Sequence, residues 1–380
     1  MLIYLFIFIC SAFLFYLSEK PELAKYRKCF VFFAIVLPSI LAGLRSENVG
    51  VDVKIYAIPI YSAASASDNL IQFIQNQLVI GNKDFGFNVL NYFLSRLTND
   101  YHFGLFAYQM ITLTFIYLGY KNYEKKFGAP LWLCILLYLL LLYNPSLNIM
   151  RQCIAVSILF YGITCMFNKR YVRTILFIFV AILFHSSAIL GIPIALMYLF
   201  LCRETCPDMK TQIIKSSVLI CCGLLFVLLF PTLLKMVVNL GILHSRYLDY
   251  LPGGTWSTIG VDSSINILSV MPSLFYLLLI LMAFRKMNEY KKESLFLTFS
   301  SLIILLLDFS PLYANYLTRA GYYFLPFQAV MLADIADICP AKYKKFYVLM
   351  IIAAMLVVWI VTVVILGYYG TIPYEFFWNV

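Results

Sequence analysis

Charged residues are scarce in this chain. Asp, Glu, Lys and Arg make up 12% of its 380 residues and hydrophobic residues 63%, whereas an ordinary soluble domain carries roughly 25% charged residues. A chain so composed cannot cover a water-exposed surface, which excludes a soluble protein. Also missing are the ten-residue segments of alternating polarity that mark an outer-membrane barrel. No Gly-rich phosphate loop or dinucleotide fingerprint occurs, and no paired-aspartate metal motif stands in the polar gaps, so a nucleotide-driven cytoplasmic activity has no seat. None of the ten cysteines falls in the long outer segments described below, so no disulfide framework is implied. Cys202 and Cys206 stand close together but have no second pair and no nearby histidine, which is not a zinc-ligand set. We expect no cofactor and no metal.

What is present are apolar runs of about 17 to 25 residues, the length that crosses a hydrocarbon core as a helix. They predict an all-α, polytopic integral membrane protein, one transmembrane domain over residues 1–380. Six basic clusters, at 20–28, 121–126, 169–173, 203–215, 285–292 and 342–345, hold 20 of the 28 Lys and Arg. If every second gap is cytoplasmic, all six obey the positive-inside rule. The chain then crosses about twelve times with both termini outside. Residues 1–17 have no basic residue before them and several after, the reverse of a secretory signal, and read as a retained first span. The net charge of +10 is thereby a topology signal, and no nucleic-acid partner is needed to explain it. Twelve-span carriers of the major-facilitator type keep their ends in the cytoplasm, which this charge pattern disfavours.

Two outer segments are long enough to act. The first, residues 45–100, contains Phe87, Leu90, Leu94 and Leu97 at helical spacing, which predicts an amphipathic helix with these four on its apolar face, lying in the interface. The second, residues 231–264, carries Lys235, His244, Arg246, Tyr247, Asp249 and the turn-forming Pro252-Gly253-Gly254. Both read as loops over a site.

A few charges stand where charge is costly. Arg151 sits in Asn144-Pro145-Ser146-Leu147-Asn148-Ile149-Met150-Arg151-Gln152, a break between two apolar runs. In this topology a helix starts here on the outer side, and a cation at a helix N-terminus opposes the dipole, so local stability does not explain it. A guanidinium beside exposed backbone N–H groups makes an anion site. Arg319 follows the same logic, preceding the apolar run from Ala320. Arg45 ends a span, where a cation complements the dipole, and reads equally as a functional or an ordinary residue. His185, in Phe184-His185-Ser186-Ser187-Ala188, lies midway between Arg173 and Arg203. Two crossings in that interval leave arms of about 22 Å each, short of a core about 30 Å thick. The turn is therefore expected in a recess, with His185 as a base, a hydrogen-bond donor or a structural residue. Asp52 follows Arg45 by seven residues and reads as its ion-pair partner or as a catalytic carboxylate.

With Arg45, Gly50-Val51-Asp52, Tyr56, Phe85-Gly86-Phe87, Asn91, Met150-Arg151-Gln152, His185-Ser186-Ser187-Ala188, Arg319 and Pro373-Tyr374 in view, the chain resembles the EpsG-like proteins. These belong with the Wzy-type polymerases of bacterial surface polysaccharides: O-antigen, capsule or exopolysaccharide. Val51 departs from the small residue usual between Gly and Asp in that family. The resemblance implies a glycosyltransferase that joins oligosaccharide repeat units carried on undecaprenyl diphosphate, at the outer face of the bacterial cytoplasmic membrane. Combined with the charges read above, it leads us to expect His185 or Asp52 as base, and Arg45, Arg151, Gln152 and Arg319 around the diphosphate. Its partners would be the lipid-linked oligosaccharides, membrane lipid, and a chain-length regulator and flippase of the same pathway. A flippase for lipid-linked oligosaccharide, or a ligase or acyltransferase using the same outer site, remain alternatives. A flippase should carry charge through the depth of the membrane, whereas these cations gather at its outer end.

Overall fold

In lipid a backbone N–H has no water to bind, so apolar runs fold as helices whose hydrogen bonds are internal. The computed structural model describes residues 1–202, 209–241, 245–251, 270, 273–279, 281, 293–308 and 315–379. Among them the regular structure is helical, and the single strand-like feature is a bridge between Arg45 and Phe376. The chain divides into two units, Met1–Ile192 with Cys339–Val380, and Pro193–Ile338.

The first unit opens with α1 (Leu2–Ser18) and α2 (Arg27–Gly43), joined side to side by the Ser11 hydroxyl donating to the Ala34 carbonyl at 2.7 Å. Segment 45–100 folds as α3 (Ile58–Ser65), α4 (Leu70–Val79) and α5 (Phe85–Ser95). Asn69 caps α4, its side-chain oxygen accepting from the Ile71 and Gln72 amides. Then come α6 (Tyr101–Phe127), capped by Asp100, and α7 (Leu131–Tyr138), which continues through a π turn into α8 (Asn144–Asn148). Glu19 caps α7 from another helix, accepting from the Leu131 and Trp132 amides at 2.7 and 3.2 Å. Burial raises the Glu19 carboxyl above the usual carboxylate range, although those two amides favour its charged form. The unit is completed by α9 (Met150–Phe167), α10 (Tyr171–Phe184) and the C-terminal helix Ala341–Trp359. The second unit contains Met209–Asn239, Ser294–Asp308 and Leu325–Ile338, and the boundary falls inside Gly191–Cys202.

Among the described residues five helices are long and apolar enough to cross a membrane, or six if a pair bent by 53° within Met209–Asn239 is one span. Five shorter apolar helices of 10–17 residues accompany them. The twelve crossings expected from charge are thus not all realised as long helices among the described residues. At 14 residues, α10 spans only about 21 Å at 1.5 Å per residue.

Segment 45–100 contains the helix expected around Phe87, and one expectation, about segment 231–264, changes. In α5 the buried residues are Phe87, Asn88, Asn91 and Ser95, while Leu97 just beyond it is 73% exposed. Leu90 and Leu94 are half-buried, so the side of α5 that meets the protein is mostly polar and its leucines lie toward the outer side. The polar residues face the protein because they find partners there: Asn91 donates to the Phe87 carbonyl and accepts from the Tyr108 hydroxyl. In segment 231–264 the first nine residues are not loop but the end of Met209–Asn239, with Pro231 inside the helix. His244 and Pro252-Gly253-Gly254 lie outside the described residues.

One end of the first unit gathers both termini. The C-terminal tail runs across it as a strap, with Tyr4 donating to the Thr371 carbonyl, Asn144 to the Thr371 hydroxyl, Trp359 to the Asn144 side chain and Tyr374 to the Leu41 carbonyl, all within 2.9 Å. The Ser46 and Gly50 amides donate to the tail carbonyls of Glu375 and Gly370, each at 2.8 Å.

Candidate functional site

The site is built where segment 45–100 rests on the starts and ends of the long helices. Pro145 at the first turn of α8 and the non-helical Ile149 (φ −85°, ψ 54°) break the chain, so that α9 begins anew at Met150. The turn at Gly50 packs against this break. Gly50 has φ +94°, and a Cβ there would lie 2.7 Å from the Leu147 carbonyl oxygen, so glycine is needed both for the backbone conformation and for the approach. That approach lets the Asp52 amide donate to the Asn148 side chain at 2.9 Å.

Arg151 is the second residue of α9, the helix start that the sequence predicts. Its guanidinium does not face open solvent. Nη1 donates to Asp84 Oδ2 at 2.7 Å, and the guanidinium carbon lies 3.9 Å from the centre of the Tyr56 ring. The anion beside this helix terminus is therefore supplied by the chain itself, at the N-terminus of α5. Asp84 occupies the N-cap position of α5 but makes no capping bond; it reaches across to α9 instead. The same Oδ2 lies 3.6 Å from His185 Nδ1, at the end of α10. Gly86 permits this meeting, because a Cβ there would press on the Leu183 carbonyl at 3.1 Å and on the Phe184 ring. Burial pushes the Asp84 carboxyl up, but His185 and Arg151 together outweigh it and hold the group below the usual carboxylate range.

Arg45 has a different position. It is 1% exposed, with Nη1 on the Ala42 carbonyl at 3.1 Å and Nη2 on the Leu147 carbonyl at 2.9 Å and on Met150 Sδ at 3.2 Å. Its donors tie the end of α2 to the α8–α9 break, so it supports the base of the site and does not face an incoming ligand. Gln152 is buried at 4%, because consecutive residues of a helix point about 100° apart. Asp52 stands half-buried beside the break. Arg319 is exposed in the 3-10 turn Asn315–Tyr323 of the second unit. The structure thus brings Arg151 and His185 together, sets Arg45, Gln152 and Asp52 around the neighbouring break, and adds Asp84 and Tyr56.

A family model for the EpsG family matches residues 28–376. The chain belongs to the EpsG family. No curated protein and no solved structure matches it. For this EpsG-family chain, the residue that sequence reasoning missed is Asp84. The available signal was an aspartate directly before Phe85-Gly86-Phe87, which reads locally as a helix cap. Membership suggests a polysaccharide-polymerase role in a membrane.

Proposed function

We propose that this EpsG-family protein is a Wzy-type polymerase that joins lipid-diphosphate-linked oligosaccharide repeat units at the outer face of the cytoplasmic membrane. In this reading the chain crosses about twelve times, and the end of the first unit that carries both termini faces outside. The lipid carrier is undecaprenyl diphosphate, and the product is an O-antigen, capsule or exopolysaccharide.

A hydroxyl of the next lipid-linked repeat unit attacks the anomeric carbon of the growing glycan. A new glycosidic bond forms, the bond between that carbon and the diphosphate oxygen breaks, and the hydroxyl proton passes to His185. Charge builds up on the departing diphosphate, and a planar guanidinium with several donors stabilises it better in the transition state than in the ground state. Arg151 takes that task, held in place by the Tyr56 ring. Arg45 is a positioning residue that fixes the helix break from which Arg151 projects.

The observation that carries this reading is the convergence of Arg151, at a helix N-terminus, with His185 across one shared carboxylate in an EpsG-family chain. The test is the glycan profile of a strain lacking the protein. A surface anchor bearing one repeat unit is expected. Complete loss of surface glycan would favour a flippase and overturn the proposal.

A further inference from the structure

In the reaction above Asp84 has no task, yet it holds the centre of the site. One oxygen, Oδ2, is 2.7 Å from Arg151 Nη1 and 3.6 Å from His185 Nδ1. The first distance is that of a charge-assisted bond and the second lies just beyond hydrogen-bond reach. The Asp84 side chain is 10% exposed, and its backbone is fixed by its neighbours. Its amide donates to Asn82 Oδ1 at 3.4 Å, while Asn82 Nδ2 donates to Gln77 Oε1 and Asn88 Oδ1, each at 2.9 Å. A carboxylate so anchored can shift between two nearby partners but cannot leave them.

We propose that Asp84 is a positioning residue that stands in for the substrate diphosphate on Arg151 while the site is empty, and passes to His185 when the diphosphate arrives. The inference rests on the polymerase reading. A diphosphate offers a guanidinium more charge and more acceptor oxygens than one carboxylate, so it displaces Asp84 from Arg151. The Tyr56 face keeps the guanidinium plane in place during the exchange. Repelled by the new anion, Oδ2 has to close only about 0.8 Å to reach a hydrogen-bond distance from His185 Nδ1. A carboxylate at Nδ1 fixes the proton on that nitrogen and leaves Nε2 with a free lone pair, the form a general base requires. The base is armed only when the leaving group is bound.

The test measures kcat and KM for lipid-diphosphate-linked repeat units with the full-length protein in proteoliposomes. Asp84→Asn removes the competing anion and leaves Nδ1 facing a neutral amide that does not fix its proton. KM is expected to fall by about threefold or more while kcat falls by about tenfold or more, a split in opposite senses that mere loosening of the fold does not produce. Asp84→Glu should recover most of kcat. An unchanged kcat, or a KM that is unchanged or raised, would overturn the proposal. A second measurement needs no Asp84 variant. In wild-type protein carrying 15N-histidine, with the His185 signal assigned by its loss in His185→Gln, inorganic diphosphate should shift His185 toward the Nδ1-protonated tautomer; no shift overturns the proposal equally. If Arg151→Lys loses polymer while Asp84→Asn behaves as wild type, this inference fails alone. If Arg151→Lys and His185→Gln both polymerise normally, the polymerase site itself is wrong.

Discussion

Replacing Arg151 by lysine keeps the positive charge and changes its shape. In the structure Nη1 of the guanidinium bonds Asp84 Oδ2 at 2.7 Å, and its central carbon lies over the Tyr56 ring, 3.9 Å from the ring centre. An ammonium can take over the bond to one anionic oxygen, but it has no plane to stack and no second parallel donor. A hydrogen bond to a charged group contributes roughly 1.5–3 kcal/mol and a cation over an aromatic face roughly 0.5–2 kcal/mol. Lysine recovers part of each, so we expect a loss of transition-state stabilisation of about 1.4 kcal/mol or more, which is about tenfold in rate. The assay compares polymer formation in cells and kcat/KM in proteoliposomes, with protein level in the membrane measured in parallel. An arginine that merely snorkels to the interface would tolerate lysine. Arg246→Lys, in the second long segment, serves as the comparison and should lose less. Normal polymer from Arg151→Lys at normal membrane level would refute the diphosphate role and the dipole argument that singles this residue out.

Gly50→Ala should destabilise the first unit by about 1–3 kcal/mol through backbone conformation, with overlap on the Leu147 carbonyl added, seen as a lowered Tm of detergent-solubilised protein; an unchanged Tm would show that the turn is not held at φ +94°. Arg45→Lys should lower stability by about 1–3 kcal/mol, because lysine lacks the fixed fork that sets Nη1 on the Ala42 carbonyl and Nη2 on the Leu147 carbonyl, and a Tm equal to wild type would refute that bracing role. For topology, Asn76→Cys in a cysteine-free background should label from outside in intact cells; labelling only after the inner side is opened would overturn both the orientation and the outer site. The stability contributed by ionised Asp84 follows from its lowered carboxyl: it is present above an unfolded-state pKa of about 3.9 and is lost as pH falls through the lower folded-state value. The Tm gap between wild type and Asp84→Asn should therefore narrow at strongly acidic pH, and a gap constant down to pH about 3 would contradict the pairing.

What the sequence determined by itself is what depends on local pattern. Low charge and long apolar runs are enough for an all-helical membrane class, because helix formation in lipid needs only hydrogen bonds inside one segment. The start of α9 at Arg151 was legible for the same reason, since Pro145 and the polar break mark it within a few residues, and so was the shortness of the helix before His185. The tertiary structure decided what depends on partners far along the chain. Asp84 reads as a cap for α5, yet it meets Arg151 at a separation of 67 residues, and no periodicity reports such a distance. Arg45 reads as a span-ending cation, but its guanidinium braces a helix break about a hundred residues away. Which side of α5 meets the protein was also decided by packing: Asn88, Asn91 and Ser95 count as polar in any local scale, whereas burial depends on whether a partner such as Tyr108 waits on another helix. A hydrophobicity pattern records the cost of burying a polar group alone, and only packing supplies the hydrogen bond that removes that cost.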